Sequence, residues 1–228
     1  GKISESARVI WLHGSKLTIK SAVARGPSEV ALEVIAHDKD ELLELRPRAP
    51  LAPGDWTLAF EYSAPLDTNN TAGAFKQVVA GNAYVYSQLE ATYARRVFPC
   101  VDEPDNKVPW KLTLDVPKAL TAVSNTPSTE TVIGELKRVE FAQTKPLPSY
   151  LVAFGVGPFD IVDAGKTKNG TPVRIVTLAK RGAEAAWAAK TTVPLVEALE
   201  EWFGIPYPYE KLDMLSIPLT VGFGAMEN

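Results

Sequence analysis

Two stretches of the 228-residue chain gather the groups that could do chemistry. The first, SQLEATYARRVFPCVDEPD (Ser87 to Asp105), carries Gln88, Glu90, an Arg95-Arg96 pair, Cys100 and an Asp102-Glu103 pair. The second, VGFGAMEN (Val221 to Asn228), follows two glycines with one acid, Glu227, and one amide, Asn228. Carboxylates converging in a partly dry pocket hold an ammonium strongly, through charge-assisted hydrogen bonds. A ligand without a cation leaves the same carboxylates desolvated and unpaired, so such a pocket also discriminates. Each group has a plainer reading. Glu90 alone is a strand acid facing water, and Glu227 alone is as ordinary. Gly222 and Gly224 alone mark a bulge or a turn. Arg95 and Arg96 with Asp102 and Glu103 read as a structural salt-bridge corner rather than as catalytic groups. Cys100 beside Pro99 reads as a small buried apolar residue rather than a nucleophile.

A zinc hydrolase of the usual kind carries His-Glu-x-x-His on a helix. This chain has two histidines, His13 and His37, 24 residues apart and each in a turn-like context, and neither starts that pattern. No metal ligand and no catalytic residue are therefore assigned within the chain.

The elements that must position these residues are mostly strands. RVIWLHGSKLTIKSAVA reads as a strand, a His-Gly turn and a second strand. In DWTLAFEYSA, Trp56, Leu58, Phe60 and Tyr62 alternate with Thr57, Ala59 and Glu61, after a Pro53-Gly54 turn. WKLTLDVP, RVEFAQT and YLVAFGVGPFDIV continue the period-2 pattern of half-buried antiparallel strands. The pattern changes after about Asp160. GKTKNGTPVRIVTLAK is a turn and a strand, and Gly182 to Phe203 reads as helix, with Leu195, Val196, Leu199, Trp202 and Phe203 at helical spacing. Trp202 and Phe203 are expected in the helix core, Gly204 as its stop, and Pro194 as a kink or a break into two helices. KLDMLSIPL reads as a buried strand. The expected organisation is a mainly β chain: an antiparallel sandwich or saddle-like domain over 1–160, then the start of an α/β domain over 161–228, with the boundary near 158–165.

Bulk composition narrows the function. Net charge is −3, which gives no electrostatic case for nucleic acid or an anionic membrane. One cysteine excludes an internal disulfide, and no apolar run approaches the length of a membrane-spanning helix. Both ends read as arbitrary cuts: no initiator Met, no signal-like segment, and an apolar Gly-rich finish.

Together the two stretches resemble the zinc aminopeptidases of the aminopeptidase N (alanyl aminopeptidase, gluzincin) type. That family has a GAMEN motif, matched unchanged by Gly224, Ala225, Met226, Glu227 and Asn228. Its all-β N-terminal domain carries Gln-x-Glu-Ala leading into Arg-Arg-x-Phe-Pro-Cys-x-Asp-Glu-Pro. Gln88, Glu90 and Ala91 match the first part, and Arg95, Arg96, Phe98, Pro99, Cys100, Asp102, Glu103 and Pro104 the second. The resemblance covers nearly the whole chain in order and spacing. It implies a fragment holding the N-terminal β domain, short of its first strands, and the beginning of a thermolysin-like catalytic domain that stops at GAMEN. It implies that Glu90 and Glu227 grip the α-ammonium of a peptide with a free N-terminus and that Gln88 lines the pocket. It implies that Gly224 and Ala225 belong to an edge strand pairing with substrate backbone, that Met226 is a substrate-binding residue beside them, and that Asn228 contacts the substrate's peptide group. It implies zinc in the full-length parent, on a helix after GAMEN, with none expected on this chain, which is expected to be inactive alone and to need the remainder of the catalytic domain. Two rivals stand beside it. In an epoxide-hydrolase branch of the family a Gln replaces the acid matching Glu90. A non-catalytic relative keeps the β domain for protein binding. GAFKQ (Gly73 to Gln77) and SNTP (Ser124 to Pro127) resemble exported bacterial members slightly more than cytosolic ones.

Overall fold

The computed structural model describes residues 1–218, and the chain is mainly β with one long helix. Two compact units share it. Residues 1–74, 88–107 and 148–151 form the first, and 75–87, 108–147 and the chain from 152 onward form the second.

The first unit holds β1 (Lys2–Ile3), β2 (Ile10–His13), β3 (Thr18–Arg25), β4 (Glu29–His37), β5 (Leu42–Pro47), β6 (Gly54–Asp55) and β7 (Thr57–Ser63). Five form one antiparallel sheet in the order β2-β5-β4-β3-β7. Alternation along β7 sends Leu58, Phe60 and Tyr62 inward and leaves Thr57 and Glu61 exposed, because successive side chains of a strand point to opposite faces. Ala24, Leu43, Leu45, Leu51 and Trp56 form the core, and the Trp56 indole N–H donates to the Ala52 carbonyl at 2.9 Å. The expected Pro53-Gly54 turn is instead the edge of a two-stranded ladder, with β6 paired to β1. His13 and His37 are strand ends rather than turn residues, since the β2–β5 and β4–β5 ladders run out to them.

The second unit holds most of β8 (Gly73–Val79) and β9 (Asn82–Gln88), then β10 (Thr113–Pro117), β11 (Thr121–Ser124), β12 (Ser128–Ile133), β13 (Leu136–Phe141), β14 (Phe154–Gly157), β15 (Asp160–Lys166), β16 (Pro172–Thr177), α1 (Ala186–Phe203) and β17 (Leu212–Leu215). Its sheets are β11-β14-β9-β8, β10-β13-β12 and β15-β16-β17. Ala80 and Gly81 both take positive φ between β8 and β9, the backbone that a two-residue hairpin turn requires. An aromatic core sits against the four-stranded sheet. Tyr86 lies 5.6 Å from Phe75 and 5.9 Å from Phe159, and Tyr84 lies 5.4 Å from Phe159. The Tyr84 hydroxyl accepts from the Ala179 N–H at 3.1 Å. Gly157 makes room for Tyr84, since a Cβ there would stand 2.4 Å from the ring. Gly157→Ala is therefore expected to cost about 1–3 kcal/mol, the usual range for overpacking a tight core. Urea denaturation of the two forms checks this; equal midpoints would show that the ring has room to move.

Further sequence expectations change in the second unit. YLVAFGVGPFDIV is not one strand but a 3-10 turn at Ser149–Leu151 followed by β14 and β15; Pro158, without an N–H, interrupts the ladder. Of the two outcomes expected at Pro194, the break into two helices does not occur: the helix runs unbroken from Ala186 to Phe203 and ends on left-handed Gly204. Lys190 and Pro194 both lie on its exposed side, where water can replace the lost backbone bond. Trp202 and Phe203 are not core: they are 84% and 67% exposed, and Trp187, Leu195 and Leu199 are exposed with them. The helix packs on β15 and β16, and its buried residue is Thr192. The apolar spacing shows a one-sided stripe, but periodicity does not say what covers it. KLDMLSIPL contains β17, half-buried, which pairs in parallel with β16 from Val173↔Leu212 to Val176↔Leu215. Strand, helix and parallel strand thus make a β-α-β unit.

Candidate functional site

Along β9 the side chains of Tyr84, Tyr86 and Gln88 are buried on one face. The strand ends at Gln88, and the next residue, Leu89, is almost wholly buried. Leu89 anchors the departing chain, and its carbonyl accepts from the Tyr93 N–H at 2.8 Å. Glu90 opens the turn over 90–93 that leads into a 3-10 helix at Ala94–Arg96. The Glu90–Ala91 peptide is cis. Glu90 is a half-buried residue, and its carboxylate has no hydrogen bond or ion pair among the described residues. A carboxylate that the surrounding residues leave unpaired is open to a cation. Gln88 and Glu90 are thus brought close along the chain by the end of one strand. Gly224, Ala225, Met226, Glu227 and Asn228 lie outside the described residues, so the expected approach of Glu227 to Glu90 does too.

The charged pairs that follow are used differently. Asp102 is 4% exposed and Arg95 9%. Arg95 Nε donates to Asp102 Oδ2 at 2.9 Å, and a second guanidinium nitrogen reaches Glu41 at 3.4 Å. The Ser149 hydroxyl donates to the other oxygen of Asp102 at 2.5 Å. The backbone N–H of Asp102 donates to His13 Nδ1 at 3.1 Å, so that nitrogen carries no proton and the ring hydrogen sits on Nε2, 3.5 Å from Glu103. His13 and Cys100 exchange backbone hydrogen bonds of 2.8 and 3.1 Å. Burial, with Asp102 nearby, pushes the Cys100 thiol far above its ordinary range, which removes the thiolate a nucleophile needs. Arg96 stands apart, its guanidinium 4.4 Å over the Tyr93 ring and its buried Nε without a hydrogen bond among the described residues; the rest of the cluster is paired internally and pins residues 94–102 to the end of β2, as a structural corner does.

A second charged cluster escaped the sequence reading. Arg174 and Asp213 stand opposite each other in the β16–β17 register and make a two-point ion pair at 2.7 and 2.6 Å. Lys211 Nζ donates to the same carboxylate at 2.7 Å and to the Ser124 carbonyl at 2.6 Å. Burial works to raise the Asp213 carboxyl, but the hydrogen bonds from Arg174 and Lys211 outweigh it and hold it below the usual carboxylate range. The available signal was Lys211 and Asp213 two residues apart, on one side of an extended segment.

A zinc site needs three or four converging ligands. Among the described residues no group of three or more His, Cys, Asp and Glu has that arrangement. His13 is held as above, and His37 pairs with Glu44 at 2.9 Å. The described residues do not fit a zinc ion.

Residues 1–151 match the Peptidase M1 N-terminal domain. Similarity to whole proteins extends over almost all of the chain. Aminopeptidase M1-B of Oryza sativa subsp. japonica is 34% identical over 230 residues, which are 99% of this chain and 26% of that protein. Puromycin-sensitive aminopeptidase of Caenorhabditis elegans is 33% identical over 236 residues, 99% of this chain and 25% of that protein. Glutamyl aminopeptidase of Homo sapiens is 30% identical over 240 residues, again 99% and 25%. The chain spans about a quarter of the length of the curated relatives it matches. The β fold, the Gln88–Asp105 stretch and these matches agree: the chain belongs to the M1 peptidase family, and its residues 1–151 are that family's N-terminal domain.

Proposed function

We propose that this chain supplies the substrate N-terminus clamp of a zinc-dependent aminopeptidase, which removes N-terminal amino acids from peptides. Residues 1–160 are its β domain and 161–228 the start of its thermolysin-like catalytic domain. Glu90 and Glu227 accept hydrogen bonds from the α-ammonium, Gln88 lines the pocket, and Asn228 contacts the first peptide group. Gly224 and Ala225 pair with the substrate backbone as an edge strand does, and Met226 binds substrate beside them. The observation that carries this reading is Glu90, a half-buried residue whose carboxylate has no partner among the described residues. An internal peptide segment brings no cation to it, so the clamp selects chain ends. The acid at position 90 also favours a plain aminopeptidase over the branch that carries Gln there.

Zinc chemistry belongs to the remainder of the catalytic domain, which this reading makes the chain's first partner. That partner also accounts for the exposed apolar stripe of α1, since the relatives are about four times longer than the chain.

Two experiments test the reading. In the full-length enzyme, Glu90→Gln keeps the shape of the side chain and removes its charge. It is expected to lower kcat/KM on aminoacyl-arylamides by roughly tenfold or more, the size of one lost charge-assisted hydrogen bond. An unchanged value removes Glu90 from the clamp. The 228-residue chain by itself is expected to hydrolyse no aminoacyl-arylamide and to retain no stoichiometric zinc after gel filtration. Turnover that survives repurification overturns the assignment of the chemistry to the missing part.

A further inference from the structure

A cavity of about 250 Å³ lies in the second unit, with every lining residue drawn from that unit. Val123, Phe154, Leu215, Ile217 and the ring of Tyr207 give it an apolar wall, and Lys211 lines it too. Binding pockets have this make-up: mostly apolar, with a few polar groups that fix orientation. The size suits a ligand somewhat smaller than a typical drug.

The charge beside this cavity is unbalanced. Arg174 and Lys211 are two cations sharing one carboxylate, Asp213. The Lys211 side chain is 9% exposed and that of Asp213 is 8%, whereas Arg174 is 36% exposed, so the poorly screened part of the excess sits on Lys211. Both Asp213 oxygens are taken. A lysine ammonium has three N–H donors. Two of them go to Ser124 and Asp213, and the third has no acceptor among the described residues. Burial draws the Lys211 ammonium below the ordinary lysine range, against the pull of Asp213 and with a push from Arg174. That is the response of a cation that one carboxylate does not fully neutralise. Two other charges line the cavity. Lys145 donates to the Pro208 carbonyl and lies 5.9 Å above the Tyr209 ring, and Glu210 is exposed to water.

We propose that this cavity is a binding site for a small amphipathic monocarboxylate, whose carboxylate accepts the third N–H of Lys211 and whose apolar tail lies against Val123, Phe154 and Leu215. A dianion would oppose Asp213 and Glu210. A neutral ligand would leave the excess cation as it is, and a cation would add to it.

Calorimetric titration of the 228-residue chain with phenylbutyrate, phenylbutanol and phenylbutylamine tests the site. The three probes share a tail and differ in the head group. Phenylbutyrate is expected to bind with a Kd below about 1 mM. The alcohol is expected to bind at least about tenfold more weakly, for want of a charged acceptor, and the amine to give no measurable binding. Lys211→Met keeps the stem and removes the charge, and is expected to lower the affinity at least about tenfold. It also strips a partner from Asp213, so a second variant guards against misfolding. Ala153 is exposed and lines the cavity, and Ala153→Phe fills the space without entering the core. It is expected to abolish binding with an unchanged circular dichroism spectrum. The proposal is overturned if no probe binds, if the alcohol or the amine binds as tightly as the acid, or if either folded variant keeps the wild-type affinity.

Discussion

Glu227→Ala in the full-length enzyme is expected to lower kcat/KM on free-amine substrates by roughly ten- to a hundredfold or more. The substitution removes one of two proposed carboxylate anchors and leaves the substrate ammonium partly unpaired in a desolvated site. A hydrogen bond to a charged group is worth about 1.5–3 kcal/mol there, and each 1.4 kcal/mol is a factor of ten. The loss is expected to fall mainly on KM, with kcat less affected, because the ammonium is gripped in both the ground state and the transition state. Steady-state kinetics on an aminoacyl-arylamide series checks this. The double variant Glu90→Ala, Glu227→Ala adds a sharper criterion. If both acids hold one cation, their effects are strongly non-additive. Additive effects would place the two carboxylates at separate sites.

Asp102→Ala is expected to have the larger effect on stability. The carboxylate is nearly wholly buried and takes hydrogen bonds from the Arg95 guanidinium and the Ser149 hydroxyl. Its removal leaves the Arg95 cation with only the more distant Glu41. Breaking a buried ion pair by deleting one partner typically costs about 3–5 kcal/mol. That is a large part of the roughly 5–15 kcal/mol that holds a domain together. Equilibrium denaturation measures the loss. Asp102→Asn keeps the shape and one acceptor, and is expected to lose less. A loss under about 1 kcal/mol for Asp102→Ala would mean that the corner is not structural.

Much of this fold is legible in the chain. Period-2 alternation in DWTLAFEYSA and RVEFAQT marks real strands because half-buried strands must alternate. The helix and its Gly204 stop follow from 3.6-residue spacing and from the left-handed backbone that glycine tolerates. Other features depend on partners that a local pattern cannot name. The apolar face of α1 looks like core at Trp202 and Phe203, yet both are exposed. Pro53-Gly54 looks like a turn until β1, some fifty residues earlier, pairs with Gly54 and Asp55. Within the candidate site, Gln88 and Glu90 stand out through their motif, and Asp102 through its neighbours. The tie from Asp102 to Ser149 spans 47 residues, and Arg174 meets Asp213 only once two strands have taken their register.

The strand order β11-β14-β9-β8 also bears on how the molecule is made. β8 and β9 form a hairpin as soon as both have been synthesised, but the other edge of β9 pairs with β14, where Gly155 meets Tyr86 from 69 residues further on. Translation adds about 5–20 residues per second, so the hairpin waits on the order of several seconds with that edge open. Phe75, Tyr84 and Tyr86, which end up buried, lack their final cover during that wait. An unpaired edge beside uncovered aromatic side chains is what recruits other chains into aggregates. The interval on the ribosome before residue 154 emerges is therefore an aggregation-prone one, and codons that slow elongation between β9 and β14 are expected to lower the soluble yield without altering a single side chain.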